Sequence, residues 1–151
     1  MTRKILIVED DPNALSFAAY TLRQAGYQVL TASNGVEGLK MAQEEEPDLV
    51  LLDVLLPGMD GFEVCHRLKN ALATAKLPIL MLSVMGRESD KKMGLTVGAD
   101  QYLTKLIAPA ELTASVGRLL EGQVSAETEK EHIPQYLKFW SRDERQGKQK
   151  L

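Results

Sequence analysis

The sequence predicts an α/β fold in which five parallel strands form one sheet with helices on both sides. Short runs rich in Ile, Val and Leu alternate along residues 1–122 with stretches whose apolar residues recur at helical spacing. The short runs are apolar throughout, which is typical of strands covered on both faces. Five strand–helix pairs in succession therefore predict a parallel sheet between helical layers.

The first two pairs have recognisable ends. Residues 5–8 (Ile-Leu-Ile-Val) form the first strand, and Pro12 suits the first turn of the helix that follows. Gly26 is placed to end that helix. Residues 27–31 predict a weaker second strand, after which the side-chain oxygen of Asn34 can cap the second helix.

The third and fourth strands each lead into a polar residue. Residues 49–52 (Leu-Val-Leu-Leu) form the third strand and run directly into Asp53. Asp60 is placed to cap the third helix. Residues 78–82 form the fourth strand, which ends at Ser83.

The last pair completes the domain. The fourth helix is expected to extend to about Val97 and to stop at Gly98. Residues 101–104 predict a short fifth strand, and Pro109 opens the last helix. We therefore assign residues 1–122 to one domain.

The remaining residues, 123–151, differ in character and are too few for a second domain. Ile133, Tyr136, Leu137 and Trp140 lie on one helical stripe between two polar flanks. This pattern predicts a short C-terminal extension that is partly helical and frayed at its end.

Composition excludes several classes of protein. The net charge of the whole chain is −3, and residues 1–122 carry 12 basic and 16 acidic side chains. This balance does not indicate binding to nucleic acid or to a membrane surface. The N-terminus has only four consecutive apolar residues, too few for a signal peptide or a spanning helix. Cys65 is the only cysteine, so an intramolecular disulfide is excluded. We predict a cytoplasmic protein.

The residues that carry chemistry follow the predicted strands. Strand ends of a parallel sheet meet at one rim, where functional groups gather. This rim is expected to hold three carboxylates, a hydroxyl and an amine: Glu9, Asp10, Asp53, Ser83 and Lys105. Clustered carboxylates repel one another, and a hard cation such as Mg²⁺ relieves the repulsion because it prefers oxygen ligands.

These residue types suit phosphoryl transfer, which mostly requires neutralised charge and in-line placement. Asp53 can act as a nucleophile to form an acyl phosphate. Lys105 can pair with the new phosphate, and Ser83 can donate a hydrogen bond to it. Taken alone, each residue has a simpler interpretation, because acidic residues at strand ends are often helix caps and a single lysine is often only solvated surface.

Four segments in order and at the expected spacing resemble response-regulator receiver domains, and the likeness covers about residues 2–121. The segments are Ile-Leu-Ile-Val-Glu-Asp-Asp (5–11), Leu-Leu-Asp-Val-Leu-Leu-Pro-Gly-Met-Asp-Gly (51–61), Met-Leu-Ser (81–83) and Gly-Ala-Asp-Gln-Tyr-Leu-Thr-Lys (98–105). The resemblance implies a flavodoxin-like (βα)5 sheet with strand order 2-1-3-4-5.

The resemblance also implies roles for the acidic residues. Asp10 would bind Mg²⁺ (or Mn²⁺) directly, and Glu9 would act through water. Asp53 would be both metal ligand and phosphate acceptor. The backbone carbonyl of Leu55 would be a further ligand.

The resemblance also implies which residues would respond to phosphorylation and which would bind the phosphate. Ser83 and Tyr102 would form the switch pair, although plain core packing also explains Tyr102, and Lys105 would bind the phosphate. The implied function is a phosphorylation-activated response regulator in a two-component phosphorelay. A histidine kinase or phosphotransfer protein would supply the phosphoryl group, and a downstream effector protein would receive the signal. Phosphorylation-dependent homodimerisation stays open.

The sequence departs from the family after Lys105, where Leu106 replaces the usual proline. A non-proline cis bond costs about 2.5–4 kcal/mol, so we expect a trans bond and a reshaped loop with Lys105 still directed at the site. Two alternatives remain. A phosphate-independent adaptor would keep the fold without the chemistry, and an aspartyl-phosphate phosphatase would need an acid where Leu55 stands.

Overall fold

The computed structural model describes residues 2–122, which form five strands and five helices in strict alternation. The strands are β1 (Lys4–Val8), β2 (Gln28–Ala32), β3 (Leu49–Leu52), β4 (Ile79–Ser83) and β5 (Gln101–Thr104). The helices are α1 (Pro12–Gln24), α2 (Gly35–Glu44), α3 (Gly61–Lys69), α4 (Glu88–Thr96) and α5 (Pro109–Glu121). The C-terminal extension predicted for residues 123–151 lies outside the described residues.

All five strands are parallel and form one sheet in the order β2-β1-β3-β4-β5. The predicted fold class and strand order are thereby confirmed. β1 lies between β2 and β3, so its carboxyl end meets that of β3.

Side chains alternate between the two faces of the sheet and build two separate cores. Leu6, Val8 and Leu52 face one core, which α2 and α3 cover with Val64, Cys65 and Leu68 among others. Ile5, Ile7 and Leu51 face the other core, which receives residues of α1 and α5. Cys65 is fully buried, as a small apolar residue would be.

The predicted helix starts agree with the structure. Asp11, Asn34 and Asp60 each cap a helix, accepting hydrogen bonds from backbone amides two or three residues later. Pro12 and Pro109 occupy the first turns of α1 and α5.

Two strands begin one residue later than predicted, at Gln28 and Ile79. Tyr27 and Pro78 each precede a strand instead of opening it, and Ser83 is the last residue of β4 rather than a residue beyond it. Within residues 2–122 no helix is long and apolar enough to cross a membrane.

Candidate functional site

The register of the sheet brings Glu9 and Asp53 together. Val8 of β1 pairs with Leu52 of β3, so the residues that follow these two strands are neighbours at the rim. The Asp53 amide donates a hydrogen bond to the Val8 carbonyl over 3.0 Å, which continues the ladder by one step. Both carboxylates are buried, with exposed fractions of 5% for Glu9 and 4% for Asp53.

A third carboxylate, Asp10, lies at the same place and is exposed to solvent. One carboxylate oxygen from each of Glu9, Asp10 and Asp53 lies within 4.8 Å of the other two. Three convergent oxygen donors, two of them buried, suit a hard divalent cation that keeps some of its water. The donor set therefore fits a divalent cation such as the magnesium that the resemblance implies.

Lys105 is the cation of the site and contacts both buried carboxylates. Its Nζ lies 3.2 Å from Asp53 Oδ2 and forms a closer ion pair with Glu9. Lys105 follows Thr104, which pairs with Ser83, and the Lys105 amide donates to the Ser83 carbonyl over 2.9 Å. The bond to Leu106 is trans, and Lys105 points at Asp53, as we expected from the sequence.

The environment changes the proton affinity of Glu9 and Lys105. Burial raises the pKa of Glu9 and outweighs the opposite effect of its hydrogen bond from Lys105, while the charge of Asp53 raises it further. Burial acts to lower the pKa of Lys105, but the hydrogen bond to Glu9 and the charge of Asp53 outweigh it and raise the pKa. Lys105 therefore stays charged while it stands between two carboxylates.

The loop after Asp53 is held close to the strand by Gly61. The Gly61 amide donates to the Val54 carbonyl over 2.8 Å, and a Cβ on Gly61 would lie 2.1 Å from the Asp53 carbonyl oxygen. Only glycine permits this approach. The loop places Leu55 two residues beyond Asp53, where its side chain is half-exposed and supplies no acidic group.

Ser83 and Tyr102 are linked through the backbone of Met85. The Met85 amide donates to Ser83 Oγ over 3.2 Å, and the Tyr102 hydroxyl donates to the Met85 carbonyl over 2.5 Å. Ser83 is fully buried, and Tyr102 is 9% exposed and packs in the core beneath α4. The ring of Tyr102 therefore already occupies an inward position in this structure.

A cleft of about 280 Å³ opens beside the carboxylates, between the start of α1 and the loop from β5 to α5. Its lining includes the charged residues Glu9, Asp11, Asp53 and Lys105 and apolar residues such as Phe17. The site is therefore accessible from the side of α1.

Comparison with known proteins agrees with this geometry. The model of the family described as "Response regulator receiver domain" matches residues 5–117. The chain belongs to this family. The fold, the two-component class and the strand order predicted from the resemblance are thus established for this receiver domain.

Two curated relatives and one solved structure illustrate the likeness. The alkaline phosphatase synthesis transcriptional regulatory protein PhoP of Bacillus subtilis is 46% identical over 120 residues, which are 80% of this chain and 49% of that protein. The DNA-binding dual master transcriptional regulator RpaA of Synechocystis is 44% identical over 117 residues, 78% of this chain and 48% of that protein. The chain thus spans about half the length of these relatives.

The solved structure is a CheY-like response regulator receiver domain protein from Methanospirillum hungatei. It superimposes with a TM-score of 0.75 at 29% identity, covering 87% of this chain and 99% of that one. Its backbone supports the same receiver fold.

Three features of the site were not predicted from the sequence: the ion pair between Glu9 and Lys105, the Met85 backbone link, and the close packing of Gly61 on Asp53. The ion pair depends on side-chain positions across separate strands, and the Met85 link depends on the path of the loop after β4, neither of which residue spacing reveals. Gly61 was visible in the motif that follows Asp53, and its place next to a helix cap is the signal that points to close packing.

Proposed function

We propose that this receiver domain accepts a phosphoryl group on Asp53 from a histidine kinase or phosphotransfer protein. The observation that carries the proposal is the convergence of Asp53 with Glu9, Asp10 and Lys105 at one accessible rim. An Asp53 carboxylate oxygen attacks phosphorus, and the bond from phosphorus to the donor nitrogen or oxygen breaks as the acyl phosphate forms.

Lys105 supplies a fixed positive charge for the product. Its Nζ already contacts Asp53 Oδ2, so a phosphoryl group on Asp53 lies within reach of the same ammonium. Asp10, Asp53 and the Leu55 carbonyl would hold Mg²⁺ or Mn²⁺, with Glu9 acting through water. When bound, the cation neutralises part of the charge on the carboxylates and on the incoming phosphoryl group.

The switch follows from the link between Ser83 and Tyr102. Rotation of the Ser83 hydroxyl toward a phosphate would end its hydrogen bond from the Met85 amide. The Met85 carbonyl also accepts a hydrogen bond from the Tyr102 hydroxyl, so a shift of the Met85 backbone moves the acceptor that holds the tyrosine. Because Tyr102 is already inward here, phosphorylation fixes an existing position rather than creating one, and the loop before α4 is the part that rearranges. This is a population shift biased by the new charge.

The output passes to a downstream effector protein. The two curated relatives are named as transcriptional regulators and are about twice the length of the matched region. By that likeness we propose that this receiver acts in transcriptional control in the cytoplasm.

The test is incubation of the full chain with Mg²⁺ and acetyl phosphate, followed by intact mass measurement. Wild type gains the mass of one phosphoryl group, and Asp53→Asn gains none. Omission of Mg²⁺ with excess chelator abolishes the adduct on wild type. An adaptor that works without phosphate predicts no adduct under any of these conditions, so that result would refute the proposal.

A further inference from the structure

Gly35, the first residue of α2, packs against the loop that follows Asp53. A Cβ added to Gly35 would lie well within 3.0 Å of the Met59 carbonyl oxygen, a distance that real Cβ contacts do not fall below. Only a residue without a side chain therefore fits between α2 and this carbonyl. The phosphoryl chemistry described above makes no use of Gly35.

The backbone conformation of Gly35 does not explain why a glycine stands there. The residue opens a helix, and its φ is not positive. Alanine has a higher helix propensity than glycine, so the helix alone would favour alanine at this position. The close approach of Met59 is the feature that requires glycine.

The loop of residues 54–60 is held by glycine at two points. At its base Gly61 packs against the Asp53 carbonyl, and near its end Met59 packs against Gly35. Both contacts involve backbone carbonyls, which cannot turn away as a flexible side chain can. The path of the loop between β3 and α3 is therefore fixed at both ends.

Leu55 lies between these two points. Its neighbours Val54 and Leu56 are buried, at 2% and 9% exposure, in the core that α2 and α3 cover. The family resemblance assigns the Leu55 carbonyl as a ligand of the cation. A backbone carbonyl moves only with its peptide, whereas a carboxylate such as that of Asp10 adjusts by side-chain rotation. The position of this ligand therefore depends on the path of the loop.

The start of α2 is itself held in place, so the loop must yield if Gly35 gains a side chain. Asn34 Oδ1 caps the helix by accepting a hydrogen bond from the Glu37 amide over 2.8 Å. One turn later Gly38 packs on Val8 of β1, where an added Cβ would lie 2.7 Å from the valine methyl carbons. An added Cβ on Gly35 therefore displaces the Met59 peptide more readily than the helix.

We propose that Gly35 is a positioning residue for the divalent cation at the rim. It admits the Met59 carbonyl to the start of α2, and this contact sets the path of the loop and the position of the Leu55 carbonyl. Mg²⁺ requires near-ideal octahedral geometry with oxygen ligands about 2.0–2.1 Å away, so displacement of one ligand weakens binding. The inference rests on the proposed function, which places the cation at the three carboxylates.

The test measures the Mn²⁺ affinity of the full chain without a phosphodonor, by electron paramagnetic resonance of the free ion. Mn²⁺ favours the same oxygen ligands as Mg²⁺. Gly35→Ala lowers the affinity about tenfold or more, as is typical when a residue that orients a metal ligand is changed. The control Gly94→Ala keeps the wild-type affinity. Its Cβ is also crowded, 2.7 Å from Tyr102 Cδ2, but it lies on α4 and contacts no part of the loop.

Val64 offers a second control, because the added Cβ on Gly35 also approaches Val64 Cγ2, at 3.0 Å. The double variant Gly35→Ala/Val64→Ala removes this side-chain contact and keeps the contact with the Met59 backbone. Its Mn²⁺ affinity stays as low as that of Gly35→Ala. Recovery of the wild-type affinity would overturn the proposal, since the effect would then pass through the core and not through the loop.

Asn34→Ala decides the question if circular dichroism shows that Gly35→Ala does not fold. This variant removes the cap and loosens the first turn of α2 without adding an atom beside the loop. It lowers the Mn²⁺ affinity by a smaller factor than Gly35→Ala. Wild-type affinity in every folded variant of Gly35 and Asn34 would overturn the proposal and leave the metal site standing. Equal Mn²⁺ binding by wild type and Asp10→Asn would instead refute the metal site and the proposal together.

Discussion

Two clusters of lysine and carboxylate lie at opposite edges of the sheet and differ in charge balance. At the rim, Lys105 contacts Glu9 and Asp53, with Asp10 beside them, so the negative charges outnumber the positive one. At the other edge, Lys69 forms one ion pair with Asp100, over 2.8 Å.

In the second cluster the two charges balance, and both side chains also form hydrogen bonds to the backbone. Lys69 Nζ also donates to the Leu77 carbonyl, and Asp100 Oδ2 accepts the Ile79 amide, both over 2.8 Å. These bonds join α3 to the starts of β4 and β5. Both clusters pair a lysine with a carboxylate, so residue type does not distinguish a structural ion pair from a reactive site. The excess of negative charge at the rim does distinguish the two.

Lys105→Met should slow phosphorylation by acetyl phosphate roughly hundredfold, about 2.7 kcal/mol, because a charge-assisted contact to the phosphoryl group is lost. Lys69→Met should keep the wild-type rate, since Lys69 lies at the far edge. Initial rates of adduct formation by intact mass give the comparison, with circular dichroism to show that both variants are folded. Equal rates for the two variants would remove the distinction between the clusters.

Asp100→Ala should lower the free energy of unfolding by about 2 kcal/mol, because the Ile79 amide loses its acceptor and Lys69 loses its charge partner. The side chain of Asp100 is 34% exposed, so solvent limits the loss. Glu63→Ala, which breaks the exposed pair with Arg67, should cost no more than about 0.5 kcal/mol. Urea unfolding measures both, and a loss no larger in Asp100→Ala than in Glu63→Ala would show that the Lys69 pair is not structural.

Mg²⁺ should stabilise the wild-type chain by about 1.4 kcal/mol at ten times its dissociation constant. Asp10→Asn should abolish most of this gain because it removes one of the three convergent oxygens. Asp100→Asn should keep it, although this variant is less stable throughout. Thermal unfolding across a magnesium titration separates the two. A magnesium response that survives in Asp10→Asn would place the cation elsewhere.

Asp53→Asn should raise the free energy of unfolding in magnesium-free buffer, by about 1 kcal/mol or less. Removing this charge relieves the repulsion of Glu9 and leaves Glu9 and Lys105 as a balanced pair. Asp53→Asn should therefore raise the free energy of unfolding, whereas Asp100→Ala should lower it. This difference in sign contrasts the two clusters most directly. Urea unfolding in chelator decides it, and a clear destabilisation by Asp53→Asn would contradict the excess of charge at the rim.

Much of this organisation could be predicted from the sequence, because it depends on local patterns. The apolar runs of four or five residues predicted the strand boundaries to within one residue, and Pro12, Asn34 and Asp60 marked the starts of three helices. Asp53 and Lys105 were predicted to meet because both follow strands of a parallel sheet.

Other features depend on contacts between distant parts of the chain and were missed. The ion pair of Lys69 and Asp100 joins residues 31 positions apart, and no pattern in the neighbouring sequence distinguishes it from an ordinary surface pair. The Met85 backbone link depends on the path of a loop, which the residue pattern does not determine. Both contacts join residues that are far apart in the chain, so they become visible only when the elements are packed.

The most direct measurement locates the phosphoryl group by chemical trapping. After reaction with Mg²⁺ and acetyl phosphate, borohydride reduces an aspartyl phosphate to homoserine, and peptide mapping identifies the converted residue. The account predicts conversion at position 53 alone, with Asp10 and Asp100 unchanged. Conversion at Asp10, or no conversion of a chain that has gained the mass of a phosphoryl group, would contradict it.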